Sequence, residues 1–400
     1  MNKPKIRFKG FEGEWKERKF GDFGHVEMCK RIFKYQTSSQ GEIPFYKIGT
    51  FGFQPDAFIS RSLYEDYRKK FSYPKKGDIL ISAAGTIGRT IEYKGEECYY
   101  QDSNIVWLNH NEEIDNAYLK QLYSLVTWSS LEGATIKRLY NSNILNTHFN
   151  LPSLPEQRAL ASYFTSLDAQ IAASTSRLSS LKQIKAASLL NMFPQKGETV
   201  PRVRFKGFQG EWNLPSIEDV FEIRNGYTPS KSVESYWIGG TIPWFRMEDI
   251  RVSGGFLEDS IQHLTPKAVK NNGLFEKDSI IMATTATIGV HAQLIADSLA
   301  NQRFTNFSIR KSLREGIIAK YVYYAFFGID EWAIKNTNSG GLLSVNMPLL
   351  LKQPFFVPSL PEQRAIASYF TALDAQITLQ RERLEKLKQI KAACLEKMFA

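Results

Sequence analysis

Leu151 to Phe193 reads LPSLPEQRALASYFTSLDAQIAASTSRLSSLKQIKAASLLNMF, and Val357 to Phe399 reads VPSLPEQRAIASYFTALDAQITLQRERLEKLKQIKAACLEKMF. About 30 of these 43 aligned positions are identical, a match that chance does not produce. A shorter pair lies upstream of each. Arg7-Phe8-Lys9-Gly10-Phe11-Glu12-Gly13-Glu14-Trp15 returns as Arg204-Phe205-Lys206-Gly207-Phe208-Gln209-Gly210-Glu211-Trp212, with one residue changed. Internal repetition decides architecture before any local reading does. The chain is two copies of one unit of roughly 200 residues, a size that suits a domain and its connecting element.

Each long repeat reads as a helix. Ser153-Leu154-Pro155-Glu156 and Ser359-Leu360-Pro361-Glu362 have the spacing of a capping box, with proline tolerated in the first turn. Apolar residues then recur at alternating steps of four and three: Leu160, Phe164, Leu167 and Ile171, then Leu178 and Leu181. The second copy has Ile366, Phe370, Leu373 and Ile377, then Leu384 and Leu387. That is coiled-coil spacing, interrupted once in each copy by Ser174 and Gln380. Some 35 residues of helix span about 50 Å. Two copies of one unit pack most simply about a pseudo-twofold axis, with the helices antiparallel and a globular domain at each end. The expected division is 1–152 and 194–358 for the globular domains, and 153–193 and 359–400 for the helices. The charged outer face from Arg381 to Lys391 is the candidate surface for partner proteins.

The segments between the repeats diverge. Only echoes persist, such as Gly77-Asp78-Ile79-Leu80-Ile81-Ser82-Ala83-Ala84-Gly85-Thr86-Ile87-Gly88 beside Asp278-Ser279-Ile280-Ile281-Met282-Ala283-Thr284-Thr285-Ala286-Thr287-Ile288-Gly289. Ile43-Pro44-Phe45-Tyr46 likewise faces Ile242-Pro243-Trp244-Phe245. Residues 79–82, 105–108, 280–283 and 304–309 read as strands, and 118–130 and 319–327 as helices. The domains are therefore α+β. Near-identical frames with divergent contents suit halves that do one job on two targets.

The formal charge of +10 favours an anionic partner, of which nucleic acid is the commonest. Basic and aromatic residues interleave in the loops. The first domain offers Lys30, Arg31, Lys34, Lys75, Lys76, Arg89, Lys137 and Arg138; the second offers Arg224, Tyr227, Thr228, Lys231, Arg246, Arg251 and Arg303. Arginine and lysine suit phosphates and guanine edges, while asparagine and glutamine suit adenine. Gln101, Asp102, Asn104, Gln302 and Asn306 fall at strand ends and are candidate base readers. Three cysteines (Cys29, Cys98, Cys394) and five histidines have no metal-ligand spacing. No apolar run approaches a membrane span, and residues 1–5 lack the apolar core of a signal peptide, so a cytoplasmic location is expected.

The Pro-Ser-Leu-Pro-Glu-Gln-Arg helix start, the Arg-Phe-Lys-Gly-Phe-x-Gly-Glu-Trp lead-in and the Gly-Asp-Ile-Leu … Gly-Thr-Ile-Gly segment together resemble the specificity subunit of Type I restriction-modification systems. The resemblance covers nearly the whole chain. Gly226-Tyr227-Thr228-Pro229 followed by Ile242-Pro243-Trp244-Phe245-Arg246 is similar to a common recognition-domain opening, whereas the first copy has Cys29-Lys30-Arg31-Ile32-Phe33 there. The resemblance implies that each variable domain reads one half of a bipartite double-stranded DNA target. It implies paired helices that set the unread gap and dock two modification (methyltransferase) subunits, with restriction and motor subunits joining them. S-adenosylmethionine, ATP and magnesium would bind those partners, leaving this chain without cofactor, metal or catalysis.

Two other classes fit the residues less well. A DNA-modifying enzyme needs an Asn/Asp-Pro-Pro-aromatic motif and a glycine-rich cofactor loop, neither of which is present, and the chain contains no Gly-Lys pair for a P-loop. Pro55-Asp56 with Glu92-Tyr93-Lys94 matches a nuclease pattern only loosely. A coiled-coil adaptor that binds proteins alone would account for the helices and leave the basic, divergent domains unexplained.

Overall fold

The computed structural model describes residues 3–128, 138–338 and 343–399. Two compact units divide the chain, 1–175 with 382–400, and 176–381.

In the first unit, β1 (Lys16–Lys19) leads to β2 (Gly24–Glu27), β3 (Ile43–Tyr46), β4 (Phe58–Ile59), α1 (Arg61–Lys70), β5 (Ile79–Ser82), β6 (Thr90–Glu92), β7 (Tyr99–Tyr100) and β8 (Ile105–His110). After these come α2 (Asn116–Leu122), α3 (Asn141–Leu145), β9 (His148–Leu151) and the start of α4 (Leu154–Asn191). The main sheet has the order β2-β8-β5-β6, and a smaller one has the order β4-β3-β7. β5 and β8 are buried on both faces, as continuous apolar strands should be. Successive side chains point to opposite sides: Ile79, Ile81, Val106 and Leu108 pack with Tyr118 and Phe164, while Leu80 and Trp107 pack with Phe45, Tyr64 and Tyr99. Cys29 and Cys98 belong to the latter core, and burial pushes both thiols up to about 12, so neither is a thiolate near neutrality.

The second unit repeats the plan. It contains α5 (Ile217–Val220), β10 (Phe221–Asn225), β11 (Ile242–Phe245), α6 (Met247–Ser253), β12 (Phe256–Leu257), β13 (His263–Leu264) and β14 (Ile280–Ala283). These precede β15 (His291–Leu294), β16 (Leu299–Ala300), β17 (Phe304–Ile309), α7 (Ala319–Lys335), β18 (Thr337–Asn338), β19 (Ser344–Val345), α8 (Met347–Leu351) and the start of α9 (Leu360–Met398). Sheets β10-β17-β14-β15-β12 and β13-β11-β16 correspond to the two sheets of the first unit. Again the central strand divides its side chains, with Ile280 and Met282 facing one core and Ile281 and Ala283 the other. The helix expected at 118–130 is Asn116–Leu122 within the described residues, positions 129–130 lying outside them, and that expected at 319–327 extends to Lys335.

Both repeated stretches are long helices, of 38 and 39 residues, and each contributes to both units. Within either unit the two helix segments run antiparallel. Tyr163 meets Cys394 and Asp168 pairs with Lys391 in the first; Ser188 bonds Tyr369 and Lys185 pairs with Asp374 in the second. The apolar series changes role along its length. Leu160, Phe164 and Leu167 enter the core of the first unit together with Leu387 and Met398. Ile366 and Phe370 enter that of the second, while Leu178, Leu181, Leu373 and Ile377 form a separate helix–helix cluster there.

The glutamate assigned to each capping box has another use. Glu156 is 2% exposed and receives two bonds from Arg7, from Nε and Nη2, both at 2.7 Å. Glu362 is held in the same way by Arg204. The neighbouring glutamine acts as a clasp in both copies. Gln157 accepts from Asp115 N–H and donates to Glu113 O and Pro152 O; Gln363 accepts from Ile318 N–H and donates to Gly316 O and Pro358 O. Trp15 meets the ring of Phe399, and Trp212 that of Phe193. Each copy's lead-in thus anchors on its own helix start and on the other copy's helix end, which explains why these motifs have been retained together.

Candidate functional site

In each unit one edge of the paired sheets gathers three turns. In the first, Gln101 N–H donates to Tyr46 O and Ala83 N–H to Asn104 O. In the second, Asn301 N–H donates to Phe245 O and Thr284 N–H to Arg303 O. These shared bonds fix equivalent positions: Gln101 with Asn301, Asn104 with Arg303, and Lys47 with Arg246. The turn is one residue longer in the first unit, with Asp102-Ser103 where the second has Gln302. The loop after the central strand also matches. Gly85 has φ 65° and Ala286 has φ 68°, so the second copy bears an alanine in a left-handed conformation that glycine adopts without strain.

Around the first edge, Ile48 N–H donates to Gln101 Oε1, Arg138 Nη2 donates to Ser103 O at 2.6 Å, and Arg89 Nη1 donates to Phe51 O. The Arg89 guanidinium also lies 5.0 Å from the exposed Phe53 ring. Lys30 and Arg31 follow β2, with their cations over Phe71 and Phe33, and Lys34 is exposed on the next turn. Around the second edge, Gly226 N–H donates to Phe304 O and Tyr227 N–H to Ala300 O, and Thr228 Oγ1 donates to Gln302 Oε1. Gln302, Arg303, Lys231 and Arg251 are exposed. Arg246 is half-buried, with Nε lacking a hydrogen-bond partner.

The structure separates several candidates from these edges. Lys75 and Lys76 precede β5, at the opposite end of the strand from the 84–89 loop. Asn306 is fully buried inside β17, where its amide donates to Ser279 Oγ and Ile280 O; it lies two residues beyond the strand's start and has no access to a ligand. The guanidinium of Arg224 donates to Asn272 O and Leu274 O and covers Phe275. Tyr227 is tied to Ala268 O and Lys270 N–H. Both hold the second domain's own frame. Lys137 lies outside the described residues. Lys47 is not among the sequence candidates, although the Ile43–Tyr46 echo of Ile242–Phe245 places it opposite Arg246; its ammonium pairs with Asp56.

Chemically, each edge offers amides, hydroxyls and guanidinium groups on short turns fixed by backbone bonds. Among the described residues there is no group of three or more histidine, cysteine, aspartate or glutamate side chains placed to hold a metal ion. None of the described helices is long and apolar enough to cross a membrane.

A family model described as Type I restriction modification DNA specificity domain matches residues 12–183 and 209–389. A putative type I restriction enzyme specificity subunit from Haemophilus influenzae is 56% identical over 143 residues, 36% of this chain and 37% of the relative. The type I restriction enzyme EcoprrI specificity subunit from Escherichia coli is 43% identical over 152 residues, 38% of this chain and 37% of the relative. Both matches therefore span well under half the length of the relative. The crystal structure of a Type I restriction-modification system S subunit from M. genitalium shares the fold, with TM-score 0.59 and 16% identity over 100% of this chain and 99% of that one.

Proposed function

The chain belongs to the Type I restriction modification DNA specificity domain family, and on that premise we propose that it is the non-catalytic specificity subunit of a Type I restriction-modification complex, each edge reading one half of a bipartite duplex target. One observation carries this reading: the same backbone bonds present Asn104 in one unit and Arg303 in the other. Asparagine pairs with adenine edges and arginine with guanine. A common frame bearing different readers is what a two-part target requires.

In this reading α4 and α9 set the gap and dock two modification subunits that methylate adenine, and restriction and motor subunits join them. S-adenosylmethionine, ATP and magnesium reside in those partners, and the complex works in the cytoplasm. Arg89, Arg138, Lys30 and Arg31 serve the first half-site, and Arg246, Lys231, Arg251, Gln302 and Arg303 the second.

The salt dependence of duplex binding by the chain assembled with a modification subunit tests this. Contacts to several phosphates should lower affinity at least about a hundred-fold between 50 and 200 mM salt. An adaptor that binds only proteins would hold no duplex even at the lower salt. A second expectation concerns the opening loop of the second domain. A Cβ on Gly226 would lie 2.2 Å from Asn301 O and 2.5 Å from Ala300 O, so Gly226→Ala must push that loop off the 301–303 turn. Discrimination at one half-site should fall roughly ten-fold or more, the cost of a displaced base contact, while the other half-site is unaffected. Competition between duplexes altered in one half at a time measures this.

A further inference from the structure

The first strand of each main sheet ends at a position that differs in kind between the two units, and the residues beneath it differ with it. Leu80 pairs with Trp107 and Ile281 with Asn306, so Glu27, opposite Trp107, corresponds to Arg224, opposite Asn306. The residues that follow are Met28 and Asn225. Met28 packs with Ala83 and Val106 in an apolar cluster. The counterparts of those two residues are Thr284 and Thr305. Three apolar side chains in one unit are three polar ones in the other.

The polar three form a chain of hydrogen bonds. Thr305 Oγ1 donates to Asn225 Oδ1 at 3.1 Å, and Thr284 Oγ1 lies 2.8 Å from Thr305 Oγ1. A hydroxyl has one hydrogen, so with that of Thr305 given to Asn225, Thr284 donates to Thr305. Turning the amide over would reverse the chain. The hydrogen of Thr284, a residue 7% exposed, would then have no acceptor among the described residues. A buried donor left unmet is costly, so the chain fixes the amide with its oxygen turned inward. Asn225 itself is exposed, and its amino group makes no hydrogen bond among the described residues.

The position belongs to the reading edge in both units. Thr284 N–H holds Arg303 O, and Gly226, directly after Asn225, donates its N–H to Phe304 O. Met28 lines a recess with Ser103 and Arg138.

We propose that Asn225 reads a base of the second half-site, with Thr305 and Thr284 as positioning residues, and that it selects a keto base, guanine or thymine, over adenine or cytosine. This rests on the function proposed above and adds to it the kind of base read. In the major groove guanine O6 and thymine O4 accept a hydrogen bond where adenine N6 and cytosine N4 donate one. With its oxygen turned inward, Asn225 offers donors alone and does not make the two-bond pair with adenine. Met28 offers neither donor nor acceptor amide, so the two halves differ at this position.

Mapping methylated adenines made by the unaltered chain with a modification subunit defines the half-sites. Competition among duplexes changed at one position at a time then ranks the bases. One position of the second half should prefer a keto base roughly ten-fold. Asn225→Asp keeps an oxygen for Thr305 and turns an acceptor outward, so the preference there should reverse in favour of adenine or cytosine. Thr305→Val, alone or with Thr284→Ala, installs the residues that the first unit packs in the same place. The amide is then free to turn over, and that position should accept keto and amino bases alike. Every other position should keep its ranking, whereas a merely structural role would loosen the whole second half together. That uniform loosening, or an unchanged preference in Asn225→Asp, would overturn the proposal. An unaltered chain and modification subunit that mark no two-part motif would overturn the function on which it rests, and the proposal with it.

Discussion

Inserting seven residues into both α4 and α9, within 172–176 and 378–382, is expected to leave both half-sites unchanged and to widen the unread gap by about three base pairs. One heptad preserves the four-three pattern of the buried face, and seven residues add about 10.5 Å of helix, against 3.4 Å per base pair. The insertion falls where the two copies share no residue, so the helix-start motifs stay intact. Both helices are continuous through the division between units, so neither has a loop that could absorb the change. The effect is all-or-none at the natural target, which should no longer be methylated, while a target with the wider gap should be. Sequencing of methylated DNA reads both. An unaltered gap would remove the helices from the role of spacer.

Arg7→Ala and Arg204→Ala should be the most destabilising single changes outside the apolar cores. Each leaves a nearly inaccessible carboxylate, Glu156 or Glu362 at 2% and 1% exposure, without its bidentate cation. Each also releases backbone carbonyls that the same guanidinium holds, Glu12 and Gly13 in one copy and Gln209 and Gly210 in the other. The hydrogen bond to the glutamate is the main cause of the raised pKa of each guanidinium. An uncompensated buried acceptor of this kind costs roughly 2–4 kcal/mol. For units near 200 residues that is a fall of roughly 5–15 °C in Tm. Lysine at either position would restore charge without the fork and should recover only part of the loss. Calorimetry should show Arg7→Ala lowering one transition and Arg204→Ala the other. Unchanged melting in either would show that the lead-in is not what secures the helix start.

The frame was far more legible than the edge it carries. Strands such as Ile280–Ala283 and Phe304–Ile309 could be delimited because an apolar run buried on both sheet faces leaves little ambiguity of period. The long helices were legible because the four-three pattern persists over many turns. The Arg7–Glu156 bond was not, since a local capping box offered the glutamate a partner three residues away, while its actual partner lies 149 positions upstream. Among the candidate contacts, residue type alone could not distinguish Arg303, exposed on its turn, from Arg224, turned inward over Phe275. Lys75 and Lys76 looked equivalent to Arg89 in composition, yet a strand lies between them. Only the pairing of strands shows which end of that strand a residue occupies. Lys47 was recoverable, because the short Ile-Pro-aromatic echo that precedes it aligns it with Arg246.

One chain is proposed to read two half-sites for a partner that modifies them. Co-expression of this chain with a modification subunit, followed by genome-wide mapping of methylated adenines, tests it most directly. A single motif of two fixed blocks separated by a constant unread gap is expected, with methylation absent when either component is expressed alone. Methylation that appears with this chain alone, or a stable complex that marks no two-part motif, would contradict it.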